Sequence, residues 1–145
     1  MSQQMVRFEQ FFAAPREKVF AYFADHARFG RIWGGKFTRI KDAPGADVNG
    51  LGSVREIRNA GMRFEETITQ YQPDSFIEYK VTRGGPVKNH VGQIRFNEVP
   101  GGTQVNYEIR FEPKIPLTGR LVAGILCSTF HGGIDRAVKD IAAAA

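Results

Sequence analysis

The chain has 145 residues and a formal net charge of +5, with 42% hydrophobic and 24% charged residues, proportions that suit one ordinary globular domain able to bury its own core. Its Lys and Arg residues are scattered, often beside Glu or Asp, and no basic run is present, so nucleic acid is not an expected partner. The single Cys127 excludes an intrachain disulfide and a Cys-based metal site.

Met1 to Val6 is polar and carries no apolar signal core, and no apolar run is long enough to span a membrane. A cytoplasmic protein without a transmembrane segment is therefore expected, as a monomer or weak homodimer. Twelve Phe residues are many for this length; their large, purely apolar area suits a thick core or a greasy pocket lining.

In chain order, Met5 to Phe12 reads as a strand, with Val6, Phe8 and Phe12 on one face. Pro15 then opens a helix, where its missing N–H costs nothing, and Val19, Phe20 and Phe23 carry the helical spacing to about Ala24. A second short helix is predicted from His26 to Ile32, ending before Gly34-Gly35. Strands follow at roughly 36–42, 52–59, 62–71, 76–83, 88–98 and 103–112, separated by turn chemistry such as Ala60-Gly61, Pro73-Asp74 and Gly84-Gly85-Pro86.

After Pro113 and Pro116 the period becomes helical. Leu117, Leu121, Ile125, Leu126, Phe130, Ile134, Val138 and Ile141 predict a helix over about 117–143 with one continuous apolar stripe. Gly132-Gly133 in its middle marks either a bend or a close approach to the backbone. Cys127, in this stretch, reads as a buried, inert thiol. The whole of 1–145 reads as a single domain.

The hairpin turns set a register. A two-residue turn at Ala60-Gly61 opposes Asn59 to Met62, Arg55 to Glu66 and Ser53 to Ile68. Carrying the parity through the later turns gives two inner rows, Arg55–Glu66–Val81–His90–Phe111 and Ser53–Ile68–Tyr79–Gly92–Ile109. Charged groups on an inner face need partners or a wet cavity. Arg55, Glu66 and His90 read either as ligand contacts or as a satisfied structural network. Tyr79 and Tyr107 read as core rings or ligand contacts, and Trp33 as a wall, lid or packing residue. Gly92 beside Tyr79 leaves room for a ring or a ligand.

The order strand, two short helices, six strands, long helix resembles the helix-grip α+β fold of the START and Bet-v-1-like superfamily, and is most similar to its bacterial polyketide cyclase/dehydrase-like branch. The resemblance is carried by Phe12-Ala13-Ala14-Pro15, Val19-Phe20-Ala21-Tyr22-Phe23-Ala24-Asp25, Trp33, Gly50-Leu51-Gly52-Ser53-Val54-Arg55, Glu66-Thr67-Ile68, Ile77-Glu78-Tyr79-Lys80-Val81, Gly101-Gly102-Thr103, Phe111 and Pro113. It implies a seven-stranded antiparallel sheet curved around the C-terminal helix over a hydrophobic cavity. Members bind lipids, plant hormones, quinones, flavonoids or polyketides, and only some are enzymes.

The leading expectation is binding or transport of a small hydrophobic molecule, with Arg55, Glu66 and His90 as orienting groups and Tyr79, Tyr107, Trp33 and Phe130 as walls. The alternative is a cyclase or dehydratase in which His90 or Glu66 acts as acid/base and Arg55 stabilises an enolate or carboxylate. A third reading is a surface-acting partner module. No cofactor is implied. His26, His90 and His131 lie on separate elements without metal-ligand spacing, and no Gly-x-Ser-x-Gly elbow occurs.

Overall fold

The computed structural model describes residues 3–143. Strand β1 (Gln4–Phe12) leads into helices α1 (Arg16–Ala24) and α2 (His26–Trp33). Strands β2 (Lys36–Lys41), β3 (Val54–Asn59), β4 (Met62–Gln72), β5 (Phe76–Gly84), β6 (Val87–Val99) and β7 (Gly102–Pro113) follow, and helix α3 (Gly119–Ala143) closes the chain. The strands form one antiparallel sheet in the order β1-β7-β6-β5-β4-β3-β2. This is the helix-grip α+β architecture expected from the element order.

The local causes are visible at each boundary. Asp25 caps α2 by accepting from the Arg28 N–H, and Gly34 ends it in the left-handed region at φ 82°. In β7 the alternation places Val105, Tyr107, Ile109 and Phe111 in the core. The register follows the parity read from the turns: Arg55 opposes Glu66, Glu66 opposes Val81, Ile68 opposes Tyr79, Tyr79 opposes Gly92 and Gly92 opposes Ile109. The Ile68 N–H donates to the Ser53 carbonyl at 2.9 Å, completing that row.

One row breaks at its end. Between Lys88 and Val91 the β6–β7 register slips, with Asn89 at φ 51°. The β5–β6 ladder also stops at Tyr79 opposite Gly92. Beyond that point β5 pairs only with β4, and β6 only with β7, so the sheet carries a slit along this seam.

The glycine pair in α3 resolves into a close approach. A Cβ on Gly133 would lie 1.7 Å from the Ile32 carbonyl oxygen, so α2 docks its C-terminal end directly on the α3 backbone. Arg136 Nε donates to the Arg31 carbonyl at 2.6 Å beside it. Near the helix end, Asp140 accepts from the Tyr22 hydroxyl at 2.6 Å and from Arg31 Nε at 2.5 Å.

The α3 stripe is not continuous, and this corrects the sequence expectation. Phe130, Ile134, Ala137 and Ile141 enter the core, whereas Leu121 and Ile125 stand in solvent and Leu117 precedes the helix. Cys127 is only half-buried. The N-terminal half of α3 therefore stands away from β3, β4 and β5, and a space remains between them.

Candidate functional site

That space is a cavity of about 320 Å³ between the concave face of the sheet, α2 and the first half of α3. Phe29 and Trp33 of α2, Phe37 of β2, Ile57 of β3, Phe64 of β4 and Val122 and Leu126 of α3 give it an apolar wall. The polar residues Glu66, Tyr79, His90, Asn59 and Thr129 also line it. Its rim includes the exposed Met62 and Ile125 and the Gly85-Pro86 turn.

Of the seven residues singled out from sequence, Trp33, Glu66, Tyr79 and His90 line the cavity. Arg55, Tyr107 and Phe130 do not. The Arg55 guanidinium lies against the edge-to-face rings of Phe29 and Tyr79, 4.6 and 4.7 Å from their centroids, with Phe37 at 5.5 Å. Those rings, not Arg55, meet the cavity. Phe130 stacks on Phe8 at 4.0 Å, and Tyr107 packs edge-on to Phe8, Trp33 and Phe130, one layer behind the wall. The ring of Tyr79 fills the room left by Gly92, where a Cβ would lie 2.4 Å from it. Its hydroxyl bonds that of Tyr107, and burial holds both phenols well above their ordinary pKa.

Arg55 organises the buried polar network. Its Nε donates to Glu66 Oε1 at 2.8 Å, and its Nη2 lies 2.7 Å from that oxygen in a direction that leaves it without a well-formed hydrogen bond. Its Nη1 is 3.1 Å from His26 Nδ1. A guanidinium only donates, so His26 Nδ1 accepts, and the ring proton sits on Nε2, 3.3 Å from Ser53 Oγ. Sequence reading missed His26 as a member of this network. Nothing in the periodicity of α2 shows that its first residue reaches β3.

Burial, with the Arg55 charge next in weight, pushes the His26 pKa from 6.5 down to about 3. The folded ring thus refuses a proton that the unfolded chain accepts below pH ~6.5. Stability is fully present above that pH and falls, by up to about 1.4 kcal/mol per pH unit, as pH drops toward the folded value. His26→Gln keeps an acceptor for Arg55 and a donor for Ser53. It is expected to flatten this acid decline in urea titrations run at a series of pH values. An unchanged slope would remove His26 from the account.

His90 is the polar group whose state is best defined. The Val81 N–H donates to its Nδ1 at 3.1 Å, replacing a ladder bond across the slit. Burial also lowers its pKa, so the ring is neutral at pH 7 with its proton on Nε2. The free ring nitrogen of His90 is therefore a donor. Trp33 Nε1 is a second donor, buried and without an acceptor among the described residues.

A curved antiparallel sheet wrapped around a long C-terminal helix defines the helix-grip class, and sequence comparison agrees. The family described as polyketide cyclase / dehydrase and lipid transport matches residues 3–145. The chain belongs to that family. No curated protein matches it significantly by sequence.

Solved structures share the fold at low identity. Norcoclaurine synthase from Thalictrum flavum, in complex with dopamine and hydroxybenzaldehyde, is similar at 11% identity and a TM-score of 0.71, covering 97% of this chain and 87% of that one. A protein of unknown function from Staphylococcus aureus, SA2116, gives 15% identity, a TM-score of 0.74 and coverage of 99% and 96%. Ara h 8.0201 gives 12% identity, a TM-score of 0.67 and coverage of 96% and 99%.

Proposed function

We propose that the protein binds a small, mainly apolar and uncharged molecule in this cavity, held by hydrogen bonds to an acceptor atom on the guest. The observation that carries the reading is a largely apolar space of about 320 Å³ with a neutral histidine on its wall. The volume stands near the lower end for ligand pockets, enough for on the order of ten to fifteen non-hydrogen atoms. One or two rings, or a short chain, match it better than a long lipid. Arg55 is already neutralised by Glu66, and among the described residues no Lys or Arg lines the cavity to meet an anionic guest. The two aromatic molecules held by norcoclaurine synthase on the same fold support a guest of this size.

The alternative, acid/base catalysis by His90 or Glu66, meets an obstacle at each residue. The Glu66 carboxylate is held by Arg55. In His90 the ring's lone pair is engaged by the Val81 N–H, so the nitrogen left for a guest carries a proton and cannot take another. A donor to a carbonyl oxygen fits the ring; a general base does not.

Trp33 is the single tryptophan and lines the cavity, so its emission reports on occupancy. Acetophenone, one ring with one carbonyl, is expected to change that emission saturably and to bind about five- to tenfold more tightly than ethylbenzene, the worth of one hydrogen bond. His90→Phe is expected to narrow the gap. No saturable response to either compound would refute the binding function.

A further inference from the structure

Beside the cavity rim, which Ile125 reaches, stands an exposed apolar cluster that the fold does not use. Ile115 and Leu121 are each 65% exposed, Ile125 56%, and Leu117 completely. Leu117, Leu121 and Ile125 are spaced by four residues, which sets Leu121 and Ile125 on one face of α3 with Leu117 just before it. Leu117 holds its position from a left-handed backbone, φ 71°, a region that disfavours Leu. Two bonds hold this segment against the β5–β6 turn at the rim: the Lys114 N–H donates to the Pro86 carbonyl at 3.0 Å, and Lys114 Nζ to the Gly84 carbonyl at 3.4 Å.

The two segments that carry the cluster and its adjoining turn hold only positive charge. From Lys114 to Ile134 the chain contains no Asp or Glu but carries Lys114 and Arg120. The adjoining turn, 82–88, adds Arg83 and Lys88 and again no acid. Glu65 and Glu112 stand across the ladder from Arg83 and Lys88. None of these four cations forms an ion pair among the described residues, whereas Arg7, Arg16, Arg31, Arg39, Arg58, Arg63 and Arg110 all do.

We infer that this rim docks on the surface of an anionic lipid bilayer, with Leu117, Leu121 and Ile115 entering the headgroup region and Arg83, Lys88, Lys114 and Arg120 meeting lipid phosphates. Apolar side chains ringed by unpaired cations are what an anionic interface selects. A second copy of the chain fits the charge poorly, because a two-fold contact would set the same cations against each other. Among the described residues no helix is long and apolar enough to cross a membrane, so the attachment is peripheral. Docking in this pose turns the cavity mouth toward the lipid. It does not require the cavity to hold any particular guest, so it stands or falls separately from the binding function.

The test is sedimentation of the full chain with vesicles of phosphatidylcholine, alone or with about one-third phosphatidylglycerol. The chain is expected to sediment with the anionic vesicles and to be released by added NaCl. Leu117→Ser/Leu121→Ser and Lys114→Glu/Arg120→Glu are each expected to weaken binding at least about tenfold. Lys139→Glu, some 30 Å away at the other end of α3, changes net charge equally per residue and is expected to alter binding less than about twofold.

All the substituted side chains are exposed and only Lys114 gives up a bond, to the Gly84 carbonyl, so circular dichroism and melting should stay close to the parent; Leu117→Ser alone and Arg120→Glu alone serve if a double variant melts early. Equal binding of the parent to both vesicle types, or to neither, would overturn the proposal. So would a dimer in analytical ultracentrifugation that Leu117→Ser/Leu121→Ser dissolves, which would assign the face to a second copy.

Discussion

Replacing Glu66 by Leu is expected to lower the unfolding free energy by about 3–5 kcal/mol, because it leaves the Arg55 charge buried without its counter-ion. Arg55 is 2% exposed and covered by the rings of Phe29, Phe37 and Tyr79, so it has no short route to water. At this chain length that loss corresponds to a fall in Tm of roughly 10 °C or more. The Arg55→Met/Glu66→Leu pair removes both charges and should lose less than the sum of the single changes by at least about 2 kcal/mol. Urea denaturation of the two single variants and the double variant completes the cycle. A cost below about 1 kcal/mol for Glu66→Leu would mean that the guanidinium finds water or another partner.

The neighbouring glycines of α3 should respond in opposite directions. Gly133→Ala puts a methyl group 1.7 Å from the Ile32 carbonyl oxygen and 2.6 Å from its carbon, both backbone atoms that no rotamer change can move. Relief requires α2 to lift off α3, and a cost of at least about 3 kcal/mol is expected. Because α2 supplies Phe29 and Trp33 to the wall, the Trp33 emission should shift as well. Gly132→Ala meets nothing within 4 Å and stands exposed in the helix. It should gain up to about 1 kcal/mol from helix propensity alone. Thermal melts of the two variants give the comparison, and two shifts of the same sign would contradict the docking described.

How far the sequence reaches is clear at particular residues. The pairing of Arg55 with Glu66 follows from one turn and the period of two, since a slip of one residue would invert the whole face. Parity says which face a side chain takes but not how deep it lies. Arg55 therefore reads as a cavity residue, when rings from α2, β2 and β5 cover it. The bulge at Asn89-His90 has no glycine or proline to announce it. Helical spacing likewise groups Leu117, Leu121 and Ile125 with Phe130 and Ile134. Where α3 sits depends on the contact of Gly133 with Ile32, which joins residues far apart in the chain.

The seam between β5 and β6 bears on what size of guest can be admitted. Past Tyr79 and Gly92 the two flanks of the sheet are tied across it by the imidazole of His90, where a continuous ladder would have supplied several main-chain rungs. Spreading the flanks there sacrifices that bond and the Lys114 Nζ bond to the Gly84 carbonyl, a net loss of roughly 0.5–1.5 kcal/mol each. Under the proposed binding function, the resting volume would be a lower bound on the guest, and this seam would be the direction in which the vessel stretches.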